Sequence, residues 1–192
     1  MIEVRPGGRR RIDRVLAPAF VAGLGELGLD EVRARRDDAA QEETDLSYLR
    51  RLLHARIDIV RAELRRRQRG EGAPVVAELA RILAENAVGP ATGSGRHQTL
   101  LPSQADAHRR YTEALVADAD LSDVGSLSPG ALNEALAAYL AQEASVSARR
   151  REVQQVVDIC NAEIGSRYAS GSASVEELLA RQRQRPGSGD GQ

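Results

Sequence analysis

Along residues 30–70 the apolar side chains Leu46, Leu49, Leu53, Ile57, Val60 and Leu64 recur three or four positions apart, with polar and charged residues filling most of the gaps. That spacing puts one apolar edge on a helix. It predicts a long helix from Asp30, as N-cap, to about Arg69, stopped by Gly70 and Gly72. A second series, Val146, Val153, Val157, Cys160 and Ile164, predicts another long helix over 130–166. Ser128 followed by Pro129 supplies a start signal, an N-cap with proline at the first helical position, and Gly165 a stop. Arg149 interrupts the second edge at the place where the first has Leu49. Edges of this kind are those of helices that zip against each other.

The flanking regions are less regular. Residues 1–29 begin with a Pro/Gly/Arg cluster and read as a mobile N-terminal arm, followed by short turns where Pro18, Gly23, Gly25 and Gly28 break continuity. Residues 71–129 form a connecting region, with short helices expected at Val75–Val88 and Ser103–Ala119 around a Gly-rich linker at 89–95. Residues 167–192 read as a tail, with a short helix begun by the capping pattern at Ser174 and then disorder.

Two long helices can pair either way. Antiparallel pairing brings residues 70 and 130 to the same end, whereas parallel pairing sends the connection back some 60 Å at about 1.5 Å per helical residue. The shorter route is favoured. The expected fold is therefore all-α: a long antiparallel two-helix coiled coil with short helices in the connecting region and flexible termini.

Composition sharpens this picture. Aromatic residues make up 3% of the chain, with no Trp and one Phe, which suits Ala/Leu/Val-rich helices better than a β-sandwich. A net charge of −1 gives no bulk attraction to nucleic acid or to an anionic membrane. One cysteine, Cys160, excludes an internal disulfide framework and a multi-cysteine metal site. No apolar run reaches the roughly 18 residues of a membrane span, and the first residues do not resemble a signal peptide, so a cytoplasmic protein is expected.

Sliding the chain by 100 residues aligns the two long helices without a gap. Glu43, Ser47, Arg50 and Asp58 meet Glu143, Ser147, Arg150 and Asp158, and Arg51, Ile59, Ala62 and Glu63 also find identical partners. Within the polar series the one break is His54 opposite Gln154; both side chains can donate and accept hydrogen bonds. Each series forms a stripe about 22 Å long, beside the apolar edge. Antiparallel pairing then sets the two stripes on one face, related by a local twofold axis. Arg can fork onto phosphate oxygens or guanine O6 and N7, and a carboxylate can accept from guanine N–H groups. The paired stripe therefore suits a large, symmetric anion rich in guanine and phosphate.

The pattern E-x3-S-x2-R-x3-Q-x3-D, complete at Glu143, Ser147, Arg150, Gln154 and Asp158, recurs at Glu43, Ser47, Arg50, His54 and Asp58. It resembles the RsiG family of anti-sigma factors, whose antiparallel coiled coil carries one such motif per helix. The resemblance covers both long helices. It implies that these ten residues bind cyclic di-GMP, as a partly intercalated dimer, with no metal. It further implies that the loaded protein holds the sporulation sigma factor WhiG away from RNA polymerase. His54 departs from the pattern, and could weaken the contact expected of Gln154 or make it pH-sensitive.

Simpler readings stand beside this one. A single stripe would be an ordinary solvated helix face with ion pairs at i,i+4 spacing; the second copy turns the balance. The run RRRQR at 65–69 reads as a cationic helix C-terminus complementing the helix dipole, and His97 and His108 as structural or exposed. The lack of a P-loop, a dinucleotide glycine fingerprint, HExxH and a nucleophile elbow argues against an enzyme. A ligand-independent coiled-coil adaptor or oligomerisation module is the alternative function. Direct DNA binding is disfavoured by the balanced charge and scarce aromatics.

Overall fold

The computed structural model describes residues 2–70 and 124–171. A short helix α1 (Arg11–Val15) and two single 3-10 turns (Pro18–Phe20 and Leu24–Glu26) lead into α2 (Leu29–Arg69). The second long helix, α3, runs Pro129–Ala169. No strand occurs among the described residues. The long helices lie antiparallel: Arg33 reaches Tyr168 at one end, Arg50 reaches Glu143 midway, and Arg67 reaches the Leu127 carbonyl at the other end. The all-α antiparallel hairpin expected from the sequence is the fold.

Its core repeats strictly every seven residues. Val32, Ala39, Leu46, Leu53 and Val60 of α2 are buried, as are Leu132, Tyr139, Val146, Val153 and Cys160 of α3. A seven-residue repeat is shorter than two ideal turns, so it holds a seam together only if the helices wind around each other with a left hand. Leu49 and Ile57 complete the α2 side as predicted, while Leu64 is only half-buried. On α3 the seam takes Val156 where Val157 was expected; Val157 and Ile164 pack at its margin, and Ile159 is exposed.

Both helix limits obey the 100-residue offset. Gly28, not Asp30, is the N-cap of α2; Asp30 lies inside the first turn and pairs with Arg33 at 3.2 Å. Gly70 ends α2 with a left-handed φ of 68°, which glycine adopts without a Cβ clash. Ser128 caps α3, its Oγ accepting from the Ala131 N–H at 3.1 Å. The predicted stop at Gly165 does not occur, and α3 continues to Ala169. A mid-helix glycine costs only about 1 kcal/mol, and the turn beyond it is tied down: the Arg167 guanidinium donates to the Leu27 and Leu24 carbonyls at 2.7 and 2.6 Å.

The N-terminal segment corrects the expectation of a mobile arm. Ile2, Ile12, Val15 and Leu24 are buried in the same core as the long helices. Asp13 folds the first turn on itself, accepting from Arg5 N–H at 2.8 Å and from Arg10 Nε at 2.8 Å. Gly8 fits only because it lacks a side chain; a Cβ there would lie 2.3 Å from Asp13 Oδ2. The Ile2 N–H donates to Ser145 Oγ, and the Ile2 carbonyl accepts from Arg149 Nε at 3.2 Å. Arg149, which interrupts the apolar edge, thus holds the first residues of the chain. The short helices and linker expected between 71 and 123, and the tail beyond 171, lie outside the described residues.

Candidate functional site

The seam positions divide the hairpin into two sides. Counting about 100° per residue, Asp38, Glu42, Asp45 and Leu49 lie to one side of the α2 seam, and Glu43, Ser47, Arg50 and His54 to the other. α1 and its flanking segment cover the first side. There Arg11 Nη1 bonds the buried Asp45 at 2.8 Å and lies 3.8 Å from Glu42. Among the described residues no element covers the second side, and the polar stripes line it.

On that open side the two motifs cross. Arg50 Nε donates to Glu143 Oε1 and to Ser147 Oγ, both at 3.0 Å. Reciprocally, Arg150 Nη1 donates to Glu43 Oε1 at 2.9 Å. Each glutamate also accepts from the serine one turn along its own helix, Ser47 at 2.9 Å and Ser147 at 2.6 Å. The same residue types therefore meet twice about a local twofold axis passing near Ser47 and Ser147, Arg50 through Nε and Arg150 through Nη1. These hydrogen bonds hold the Glu143 carboxyl below the usual carboxylate range; Ser147 is the largest cause and Arg50 adds to it, against the opposing effect of burial.

Side-by-side stripes were expected, and the register brings only their inner parts together. His54 joins the central cluster, its Nε2 3.3 Å from Glu143 Oε1. Gln154 sits beside Arg150, whose Nη1 it accepts at 3.4 Å. Asp58 and Asp158 lie at opposite ends of the face, roughly 30 Å apart along the hairpin, because each motif runs outward from the shared centre. Asp158 is exposed and Asp58 half-buried.

Several polar groups remain unused at the centre. Each motif glutamate spends one oxygen, Oε1, on these contacts. Arg150 Nε and His54 Nε2 are shielded from water and make no hydrogen bond among the described residues. Buried donors without acceptors are costly, on the order of 1–3 kcal/mol each. A flat, multiply hydrogen-bonding anion could satisfy arginine donors and carboxylate acceptors together. Among the described residues no cluster of His, Cys, Asp or Glu is arranged to hold a metal ion, and no helix is long and apolar enough to cross a membrane.

A second duplicated unit was missed in the sequence. Glu63 is buried and accepts from Arg66 and Arg67. Arg67 then donates to the carbonyls of Leu127 at 2.6 Å, Gly125 at 3.0 Å and Val124 at 3.2 Å, just ahead of α3. At the other end Glu163 holds Arg167, which grips Leu27 and Leu24 just ahead of α2. The clue lay in the offset itself, since Glu63/Glu163, Arg67/Arg167, Leu27/Leu127 and Gly25/Gly125 all pair across 100 residues. The run RRRQR is thus more than a dipole complement: its third arginine clasps the opposite helix start. Hydrogen bonds from Arg66, and secondarily Arg67, pull the Glu63 pKa down to about 2.

Fold and site together define a twofold-repeated antiparallel coiled coil with crossed arginine–glutamate pairs on one face at its centre. The family model described as RsiG-like matches residues 18–83 and 118–182, spanning both repeats and well over half of the chain. The chain belongs to the RsiG-like family, and this membership points to an anti-sigma-factor type of role. No curated protein matches it significantly.

Proposed function

We propose that the open face binds cyclic di-GMP and that the loaded protein sequesters a WhiG-type sporulation sigma factor from RNA polymerase. The observation that carries this reading is the reciprocal crossing of Arg50 with Glu143 and Arg150 with Glu43. It gathers two copies of an arginine–carboxylate–serine unit within one local twofold, as a twofold-symmetric, guanine- and phosphate-bearing ligand would require. Arg50 and Arg150 would take phosphate oxygens or guanine O6 and N7, Glu43 and Glu143 the guanine N–H groups, and Ser47 and Ser147 further polar edges. His54, Gln154, Asp58 and Asp158 would flank the ligand. The role is binding and regulatory rather than catalytic, and is exerted in the cytoplasm without a metal.

Control over the sigma factor follows if the ligand binds the sigma-bound arrangement better than the free one. Isothermal titration of cyclic di-GMP, with and without the sigma factor, tests the proposal. Binding that strengthens when the sigma factor is present, and disappears in Arg50→Ala/Arg150→Ala, is the expected result. Absence of binding in both settings would sink it.

One observation favours a second reading. The crossed ion pairs already tie the helices to each other, so the stripe could serve a coiled-coil adaptor that needs no nucleotide. Capture of the protein partner at equal yield with and without cyclic di-GMP would support that alternative.

A further inference from the structure

The two halves of the open face are alike in sequence but not in their internal bonding. In one half, Arg50 is held through Nε alone, which leaves its two terminal nitrogens without a hydrogen bond among the described residues. Its side chain is 42% exposed. In the other half, Arg150 is held through Nη1 by both Glu43 and Gln154, its Nε is shielded from water, and its side chain is 27% exposed. Within the motif the two halves differ in sequence at one position, His54 opposite Gln154. Gln154 turns its amide oxygen toward its own Arg150, one turn away, whereas His54 points across the hairpin to Glu143.

We infer that His54 is a positioning residue that makes the duplicated site unequal: it leaves Arg50 presented for the first contact with ligand, while Gln154 holds Arg150 back for the second. This rests on the cyclic di-GMP reading for the identity of the ligand, but not for the asymmetry itself. Terminal nitrogens without a protein partner meet an anion by exchanging water alone, and groups presented in advance lose less on binding. Arg150 must first exchange its contacts with Glu43 and Gln154. A symmetric ligand would therefore be engaged in order, from the Arg50 half to the Arg150 half. With glutamine in both positions the two halves would be matched.

The asymmetry can be read without ligand. In the full-length protein, phenylglyoxal modification mapped by mass spectrometry should label Arg50 about threefold faster than Arg150 or more, since reagent reaches the freer fork first. In His54→Gln, a conservative change at a half-exposed position, that ratio should fall toward one. Equal rates in the unsubstituted protein would overturn the inference. Calorimetry with cyclic di-GMP supplies the second measurement: Arg50→Ala should weaken binding about tenfold more than Arg150→Ala, and the gap should close when either change is made with His54→Gln. Equal losses from the two arginine changes would also overturn it. Unequal labelling with no heat from cyclic di-GMP would uphold the asymmetry while overturning the ligand assignment.

Discussion

Glu42 and Glu43 are neighbours in α2, yet the Glu42 side chain has no exposed surface while 28% of the Glu43 side chain meets water. Glu42 faces α1 among Arg11 and Asp45; Glu43 lies on the open side with Ser47 and Arg150. The covered side uses its charges to fasten the N-terminal segment, with partners chosen within the chain. The open side holds similar groups in partly exposed pairs, Arg50 with Glu143 and Arg150 with Glu43. A charge sealed away from water is committed to structure, because losing its partner is expensive; a half-exposed charge can change partners at little cost.

The contrast can be broken most severely from the covered side. Arg11→Ala would leave buried Asp45 beside Glu42 without its cationic partner, keeping only the Gln41 amide, at an expected loss of about 2–4 kcal/mol in urea unfolding. Next comes the clasp at the hairpin end. Because the Glu63 pKa is depressed, to about 2, its stabilising charge is fully present above its ordinary value near 4.5 and is lost as pH falls toward 2. Thermal unfolding followed from pH 6 to pH 2 should show a loss on the order of 2–3 kcal/mol that Glu63→Gln largely removes. Asp13, held low chiefly by its hydrogen bond from Arg10, adds acid sensitivity of the same sign. Gly8→Ala pushes a methyl group into the Asp13 carboxylate and should cost about 1–3 kcal/mol. Trypsin cleavage within the arginine-rich residues 5–14 should accelerate accordingly.

The smallest stability effect belongs to the open side. Arg50→Ala and Arg150→Ala each remove a partly exposed ion pair and should cost less than about 1 kcal/mol in chemical unfolding. The same changes made together should abolish cyclic di-GMP binding. A large loss of stability from either arginine would mean that the open side is structural after all, and would erase its difference from the covered side.

Much of this was legible in the residues. The spacing of Leu46, Leu53 and Val60 identified a helix edge, and Ser128-Pro129 marked the start of α3. The offset that matched Glu43, Ser47, Arg50 and Asp58 with their partners marked out the two polar stripes, whose Glu–Ser–Arg portions meet across the hairpin. These features are local or periodic, and the backbone's 3.6-residue repeat translates them directly into faces.

What the sequence could not decide depended on contacts between distant segments. Residues 2–28 are rich in breakers and arginine, which reads as mobility until Ile12 and Val15 find a floor on the paired helices. Gly165 looks like a stop until Arg167 and Tyr168, one turn later, meet the start of α2 and Arg33. The sequence matched Glu43 with Glu143, but the antiparallel register decided that their Glu–Ser–Arg portions meet and their aspartates part. Glu42 and Glu43 are the same residue type, and only the docking of α1 on one side of the hairpin sealed the first and left the second open. Burial belongs to the assembled pair and its covering segment, since it depends on which surfaces exclude water together.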